Sequence, residues 1–289
     1  MQTPTWLDKT AYPFTSRYVD LPDGRMHYVD EGSGEVLLMT HGLPAWSFLY
    51  RHLITALRED YRVIAIDHLG YGLSDRPADY DYRPATAARN LEAFIQALDL
   101  HSLTLVVHDF GGPITLSYAV QHPANIRRLV LFNTWMWSLQ DDPSKRLVVG
   151  LLGGAVGRFL YNRFNFEANV IMRSAYGDKS KLTRAIHDQY RGPFQHPDTR
   201  YAAWRFTQEL LKSGEWYDSL WAERAALRDL PALLLWGLRD PVFGKAYLER
   251  WQTLFPEARV VTYPKTGHFV QEEQPEVITP IIQTFLQHT

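Results

Sequence analysis

The sequence predicts an α/β fold in which helices cover a mostly parallel sheet and a helical insertion interrupts it. Short apolar runs alternate with amphipathic segments through the first half of the chain. No strand pattern recurs from residue 133 to about residue 216, and apolar runs return after that. Alternation of this kind indicates parallel strands joined by crossover helices that cover both faces of the sheet.

The predicted elements follow one another in a regular order. Alternating runs at 17–21 and 26–30 flank the turn signal Pro22-Asp-Gly24 and predict an opening β-hairpin. Buried strands are expected at 35–40, 61–66, 103–107, 128–132, 232–236 and 258–263, which gives eight strands in all. Helices are expected at 48–57, 85–98, after residue 113, and at 275–287. We therefore expect an α/β core domain of residues 1–133 and 217–289, with a helical cap domain of residues 134–216 between its two parts.

Composition narrows the classes of partner. The formal net charge is −2 over 289 residues, which gives no electrostatic case for nucleic acid or an anionic membrane. No run reaches the roughly 18 apolar residues of a membrane span, and the N-terminus lacks the basic and apolar regions of a signal peptide. We expect a cytoplasmic protein that acts on a small, apolar, neutral substrate.

The cysteine and histidine content limits the kinds of metal, disulfide and catalytic site that this chain can form. There are no cysteines, so disulfides, thiolate metal sites and a cysteine nucleophile are excluded. The 11 histidines show no metal-ligand spacing, and the glycines of Asp67–Asp75 lack the third glycine and the helix of a dinucleotide loop. We expect neither a metal nor a cofactor.

An acidic residue occupies the turn between a predicted buried strand and a predicted helix. The run Leu103-Thr-Leu-Val-Val107 leads into His108-Asp-Phe-Gly-Gly112, and apolar residues at helical spacing follow. This layout is that of a nucleophile elbow, in which a sharp turn presents one side chain above the sheet. The presented residue is Asp109. A carboxylate nucleophile forms an ester on the enzyme, which suits substrates that have no carbonyl to attack, such as alkyl halides and epoxides.

Three further segments follow predicted strands and should converge on Asp109, because ligand groups gather at the carboxyl ends of parallel strands. His268 would activate water for hydrolysis of the ester, and Asp240 would hold His268 in one tautomer. The backbone N–H groups of Leu43 and Phe110 would form an oxyanion hole. Each residue also has a structural interpretation: Asp109 as a helix N-cap, His268 as a packed surface histidine, Asp240 as a turn residue. Their order and their shared place at strand ends favour the catalytic interpretation.

With these residues in view, the whole chain resembles the haloalkane dehalogenases of the α/β-hydrolase superfamily. The resemblance rests on four motifs, which are His41-Gly-Leu-Pro-Ala-Trp-Ser-Phe-Leu-Tyr-Arg51, Asp67-His-Leu-Gly-Tyr-Gly-Leu-Ser-Asp75, His108-Asp-Phe-Gly-Gly-Pro113 and Gly267-His-Phe-Val-Gln-Glu272. It implies cleavage of a carbon–halogen bond through an alkyl-aspartate ester, with alcohol and halide as products. It also implies an acid at Asp240 rather than at the earlier place, where this chain has Asn133.

The chain departs from that family where the leaving halide is bound. The family typically has Trp directly after the nucleophile and often Asn in the HGNP motif, and this chain has Phe110 and Leu43 there. Neither side chain donates a hydrogen bond. An indole of Trp135, Trp137 or Trp204 could take over, since one branch of the family takes a halide-binding Trp from the cap, but ordinary packing is the interpretation that we favour for them. We expect these three residues and His41 in the substrate or leaving-group pocket.

Two other functions stay open. An epoxide hydrolase would use the same Asp109 ester but needs paired cap tyrosines, for which Tyr161, Tyr176, Tyr190 and Tyr201 are candidates. A catalytically weak ligand-binding protein of the same fold is the other alternative. The glycine-rich stretch 147–157 is either a mobile lid that lines an apolar pocket or ordinary small-residue packing.

Overall fold

The computed structural model describes residues 4–289, and these residues contain an eight-stranded sheet in the order β1-β2-β4-β3-β5-β6-β7-β8. The pairs β1·β2 and β2·β4 are antiparallel, and the other neighbours are parallel. The strands are β1 (Arg17–Leu21), β2 (Gly24–Glu31), β3 (Val36–Thr40), β4 (Arg62–Ile66), β5 (Leu103–Asp109), β6 (Ile126–Thr134), β7 (Ala232–Gly237) and β8 (Arg259–Tyr263). The predicted hairpin and the predicted eight-stranded, mostly parallel sheet are confirmed.

Helices cover both faces of the sheet because the central strands are apolar on both sides. Every residue of β3, β5 and β7 is buried. Five helices cover the sheet, namely α1 (Arg51–Leu57), α2 (Pro84–Ala97), α3 (Gly111–Gln121), α10 (Lys245–Leu254) and α12 (Pro275–His288). One apolar cluster contains side chains of α1 and α12, and the other contains side chains of α2, α3 and α10.

Some predicted bounds differ from the observed ones near the carboxyl edge of the sheet. The strand expected at 103–107 continues to Asp109, and α3 begins at Gly111 rather than at Pro113. The helix expected at 48–57 begins as a 3₁₀ turn, Ser47–Tyr50, before α1. Apolar periodicity marks the interior of an element more reliably than its ends, where turn geometry decides.

Between β6 and β7 the chain forms a series of helices. They are α4 (Pro143–Leu152), α5 (Ala155–Phe164), α6 (Met172–Ala175), α7 (Arg184–Arg191), α8 (Tyr201–Lys212) and α9 (Gly214–Ala222), with α11 (Val270–Glu273) following β8. A short π-helix, Glu167–Ile171, leads into α6. The Asp142 carboxylate caps α4 by accepting from two backbone N–H groups. The predicted boundary at residue 216 falls inside α9, and the division into core and cap domains stays a prediction.

The outer surface of α4 and α5 carries exposed apolar side chains. They are Leu147, Val148, Leu151, Val156 and Phe159. Both helices are short, and no helix within residues 4–289 is long and apolar enough to cross a bilayer.

Candidate active site

Asp109 lies at the last position of β5, where the backbone turns into α3. Its φ is +52°, in the left-handed region that non-glycine residues rarely occupy. The Thr134 hydroxyl, at the end of the neighbouring β6, donates to the Asp109 carbonyl at 2.6 Å. A strained backbone held by its neighbours is typical of functional turns. The turn presents the Asp109 carboxylate above the carboxyl edge of the sheet, as the elbow pattern predicts.

Backbone N–H groups hold one oxygen of this carboxylate. Leu43 N donates to Asp109 Oδ1 at 3.2 Å, and Phe110 N donates to the same oxygen. The two donors named from the sequence therefore converge on one atom. Gly42 makes this approach possible, since a Cβ on Gly42 would overlap Asp109 Oδ1. Sequence reasoning missed this role of Gly42, although Gly42 stands within the motif that begins at His41.

The other carboxylate oxygen faces His268. Its Nε2 lies 3.2 Å from Asp109 Oδ2, and its Nδ1 lies 2.8 Å from Asp240 Oδ2. The structure therefore brings together three side chains that are more than 25 residues apart in sequence and that lie at the end of β5 or shortly after β7 and β8. All three side chains are buried. This linear arrangement of carboxylate, imidazole and carboxylate is the geometry that a base and its orienting acid require.

Asp240 is itself fixed by hydrogen bonds. Its Oδ1 accepts from Val242 N at 2.6 Å, and its Oδ2 accepts from Asn133 Nδ2 at 2.8 Å. Asn133 Oδ1 in turn accepts from the N–H of Gly237. The amide at Asn133 thus supports the carboxylate at Asp240. This contact joins the two places in the sequence where the resemblance offered alternative acids.

Burial and the neighbouring carboxylates have opposite effects on the pKa of His268. Burial alone would lower the pKa of His268, but the carboxylates of Asp240 and Asp109 outweigh it and raise the pKa to about 10. Burial and the positive His268 together lower the pKa of the neighbouring His108 to about 3. A neutral His108 can donate from Nε2 to the His268 carbonyl, which lies 3.0 Å away. His108 therefore supports the backbone of His268.

A cavity of about 90 Å³ lies above Asp109 and His268. Most of its wall is apolar and comes from the β-strand ends and from the helices between β6 and β7. The lining side chains include Leu43, Phe110, Val148, Tyr161, Glu167, Ile171, Met172, Leu210, Phe243 and Phe269. Val148 belongs to the stretch 147–157, so one residue of that stretch lines the pocket, while α4 and α5 order most of its length.

The four side chains expected in the pocket lie elsewhere. None of His41, Trp135, Trp137 and Trp204 belongs to the lining residues of this cavity within residues 4–289. His41 Nε2 accepts from His68 N at 3.0 Å, so His41 holds the loop behind Leu43. Trp135 packs against Phe110 and Phe243, with ring centroids 4.8 and 4.4 Å away. Phe110 and Phe243 occupy the cavity wall in front of the indole.

The remaining two tryptophans are more distant from the cavity. Trp137 packs against Tyr247, Trp221 and Trp251. Trp204 contacts Tyr201, and the guanidinium of Arg158 lies over its ring. Aromatic residues are common in both binding pockets and packed clusters. Residue type alone therefore could not distinguish a tryptophan in a pocket from one in a packed cluster.

Glu167 is a lining residue that sequence reasoning missed. Its side chain is buried, and its Oε2 has no hydrogen-bond partner within the described part of the chain. Burial raises the pKa of its carboxyl to about 7, against a lowering by the hydroxyl of Tyr161. One signal in the sequence marks it, since Glu167 is the sole acid between Asp142 and Asp178.

Among the four candidate tyrosines, Tyr161 alone lines this cavity. Its hydroxyl lies 2.7 Å from Thr207 Oγ1. Tyr190 donates to Glu272, Tyr176 packs against Phe269, and Tyr201 is exposed. The structure does not bring two of these tyrosines over Asp109. Residues 4–289 also contain no cluster of three or more His, Cys, Asp or Glu side chains that fits a metal ion.

Comparison with known proteins identifies relatives along the whole chain. Residues 35–275 match the family model of the alpha/beta hydrolase fold. Haloalkane dehalogenase 2 of Mycobacterium tuberculosis is 34% identical over 281 residues, which cover 96% of this chain and 97% of the relative. The cis-3-alkyl-4-alkyloxetan-2-one decarboxylase of Shewanella oneidensis is 34% identical over 290 residues, which cover 97% of this chain and 91% of the relative.

Solved structures agree with the sequence matches. The crystal structure of a haloalkane dehalogenase from Agrobacterium tumefaciens superposes with a TM-score of 0.85 at 26% identity, covering 95% of this chain and 96% of that one. The order of the eight strands agrees with this family match. The chain belongs to the α/β hydrolase fold family and is a haloalkane dehalogenase-like hydrolase.

Proposed function

We propose that this protein hydrolyses the carbon–halogen bond of a small, uncharged haloalkane through a covalent ester on Asp109. The observation that carries the proposal is a carboxylate at the elbow whose two oxygens have different surroundings. Oδ1 accepts from two backbone N–H groups, and Oδ2 faces His268. A nucleophile of this kind attacks a saturated carbon without losing a proton.

In the first step, Asp109 Oδ2 attacks the carbon that bears the halogen. A carbon–oxygen bond forms, the carbon–halogen bond breaks, and its electron pair leaves with the halide. Oδ1 stays between the N–H groups of Leu43 and Phe110 as the carbonyl oxygen of the ester. The apolar cavity wall excludes bulk water, which would otherwise solvate the attacking carboxylate.

Ester formation prepares the second step. The charge and the hydrogen bond of Asp109 are two of the causes that raise the pKa of His268, and both are lost when Asp109 becomes an ester. The pKa of His268 then falls, so the imidazole releases its proton to solvent and becomes a base. It takes a proton from water, which attacks the ester carbon, and the oxyanion develops on Oδ1 between its two donors. When this centre collapses, the bond from the Asp109 carboxyl carbon to the alkoxy oxygen breaks, the alcohol leaves with the proton from His268, and loss of the acid proton restores the carboxylate.

The cavity wall favours a small, uncharged substrate, because most of its lining is apolar. The relative from Shewanella oneidensis is named for a lactone ring with two alkyl substituents, so that lactone is tested beside the haloalkanes. The absence of a tyrosine pair among the lining residues of the described chain counts against an epoxide substrate.

The experiment that tests the proposal traps the ester. His268→Phe protein is incubated with a panel of 1-bromoalkanes and 1-iodoalkanes, and separately with styrene oxide and with a cis-3,4-dialkyl oxetan-2-one. Mass spectrometry then looks for an added alkyl group on the peptide that contains Asp109. We expect alkylation by the short haloalkanes. An adduct with the epoxide or the lactone alone would replace the proposal with that chemistry, and no adduct at all would favour a ligand-binding protein.

A further inference from the structure

The cavity wall offers a leaving halide no side-chain donor at residues 43 and 110. Leu43 and Phe110 both line the cavity, and neither side chain can donate a hydrogen bond. Trp135, the nearest of the three candidate indoles, packs behind Phe110 and Phe243. A halide that leaves an apolar cavity develops nearly a full negative charge, so a donor elsewhere in the wall is needed.

Glu167 occupies the wall of the same cavity as Asp109 and His268. It belongs to the π-helix Glu167–Ile171, a local widening of the helix that is often found at functional sites. Only 6% of Glu167 is exposed, and its Oε2 has no partner among the described residues. An unpaired charge in such surroundings is costly, so the neutral acid is favoured.

The other hydroxyls of the wall have partners of their own. Tyr161 OH lies 2.7 Å from Thr207 Oγ1, and Thr207 Oγ1 donates to the Ala203 carbonyl at 3.1 Å. Tyr161 also contacts the carboxyl of Glu167 and lowers the pKa of that group against the effect of burial. Of the described side chains that line the cavity, Glu167 alone has a buried oxygen without a partner.

From these contacts we infer that Glu167, as a neutral carboxylic acid, binds the leaving halide through its carboxylic O–H group. The inference rests on the proposed function. When Asp109 forms the carbon–oxygen bond, the halide departs with the electron pair and accepts a hydrogen bond from Glu167. Glu167 keeps its proton throughout the step. An ionised Glu167 would instead repel the halide, so halide binding and the alkylation rate fall as Glu167 ionises.

Four titratable groups influence Glu167, and they come from four different segments. Tyr161 belongs to α5, Asp109 to the end of β5, His268 to the loop after β8, and Tyr71 to the loop after β4. Asp109 raises the pKa of Glu167, and Tyr161 and His268 lower it. The Tyr161→Phe variant removes one lowering contact and should move the titration of Glu167 to higher pH.

Bromide binding tests the inference without any covalent chemistry. Glu167→Gln keeps a donor in the same place and cannot ionise, whereas Glu167→Met has a similar length and no donor. We expect the bromide affinity of the wild-type protein, measured by ⁸¹Br NMR line broadening or calorimetry, to fall about tenfold per pH unit above about pH 7. The Glu167→Gln affinity should stay constant with pH, and Glu167→Met should bind about 10- to 100-fold more weakly at low pH. Equal bromide affinity in all three proteins would overturn the inference.

Alkylation rates separate this inference from the proposed function. In the His268→Phe background, the adduct on Asp109 should form about 10- to 100-fold more slowly with Glu167→Met, and at nearly the original rate with Glu167→Gln. Alkylation that is equally fast with Glu167→Met would remove the role of Glu167 and leave the proposed function intact. If no haloalkane alkylates Asp109, the proposed function fails, and bromide binding still decides whether Glu167 forms an anion site. A titration that does not move to higher pH in Tyr161→Phe would contradict the contact between Tyr161 and Glu167 on which the inference depends.

Discussion

The carboxylate at Asp240 acts on the site only through His268. Its Oδ2 lies 2.8 Å from His268 Nδ1, and Val242 N and Asn133 Nδ2 fix its orientation. Removing this charge lowers the pKa of His268 and frees the imidazole to adopt the wrong tautomer.

We therefore predict that Asp240→Asn slows hydrolysis of the ester by about 100- to 10,000-fold while alkylation of Asp109 continues. Rapid-quench mass spectrometry should find the alkylated enzyme accumulating during turnover. Asp188→Asn changes a half-exposed carboxylate that pairs with Arg191 on the surface, and it should leave both steps unchanged. Hydrolysis at the wild-type rate in Asp240→Asn would rule out the role assigned to Asp240.

Glu167 also makes stability depend on pH. Burial raises the pKa of its carboxyl in the folded protein from the ordinary value of 4.5 to about 7. The protonated carboxyl of Glu167 stabilises the folded protein at low pH. This contribution to the free energy of unfolding is lost as the pH rises from 4.5 through about 7.

We expect Glu167→Gln to raise the melting temperature above about pH 8, where the gain in unfolding free energy approaches about 3 kcal/mol, and to change it little near pH 4. Thermal unfolding across this pH range measures the effect. Glu209 provides the control, because it is also buried but forms an ion pair with Arg205 at 2.9 Å. Glu209→Gln should destabilise the protein at neutral pH. A melting temperature of Glu167→Gln that matches the wild type throughout would show that Glu167 is not held neutral by burial.

At the scale of single elements, the close approach of α3 to β6 fixes the elbow. Gly112 lies in the first turn of α3, and a Cβ there would overlap the hydroxyl of Thr134. That hydroxyl donates to the Asp109 carbonyl. The contact between helix and strand therefore also determines the backbone of the nucleophile.

Gly112→Ala should cost about 1–3 kcal/mol of unfolding free energy and reduce alkylation of Asp109, because Thr134 must move. Gly150→Ala is the matched control, since Gly150 lies in α4 with nothing within 4 Å of the added Cβ. That change should stabilise the protein by about 1 kcal/mol through helix propensity. Chemical denaturation measures both. The interpretation fails if both alanine variants are equally stable.

At the scale of the whole molecule, a buried ion pair joins the first crossover helix to the segment after His268. Arg51 of α1 donates to Glu272 of α11 through two nitrogen atoms, and Tyr190 of α7 donates to the same carboxylate. Three elements that are far apart in sequence therefore meet at one buried carboxylate.

Breaking this pair should destabilise the entire fold. Glu272→Gln leaves the buried Arg51 without its counterion, and we expect a loss of about 3–5 kcal/mol in unfolding free energy. Asp188→Asn breaks the exposed pair with Arg191 and should cost less than about 1 kcal/mol. The double variant Arg51→Met/Glu272→Leu should recover much of the loss, since apolar replacement of a buried pair is often tolerated. If Glu272→Gln unfolds at the same denaturant concentration as the wild type, the pair does not stabilise the fold.

Most of the architecture could be predicted from the sequence, and so could the grouping of Asp109, His268 and Asp240. Those residues follow apolar strands, and the convergence of parallel strand ends is a general property of such sheets. The supporting contacts of Gly42, Asn133 and Glu167 could not be predicted in the same way. They depend on how closely segments approach one another in space, and a π-helix has no reliable signature in the residues that form it.

The tryptophans that were expected in the pocket show the same limit of prediction from sequence. Trp135 and Trp137 come just after β6, much as Asp109 ends β5, yet both indoles pack into the apolar cluster beside the sheet. Strand-end placement identifies residues near the carboxyl edge. The direction of each side chain depends on the local turn and on the space left by neighbouring rings, here those of Phe110 and Phe243.

The cavity places the leaving halide and the attacking water in one space. Asp109, His268 and Glu167 all line it, so the alkyl group on Asp109 and the halide share it after the first step. We expect the water that cleaves the ester to reach the ester carbon only once the halide has gone. Halide added to the solution should therefore keep water away from the esterified enzyme and slow the release of the alcohol.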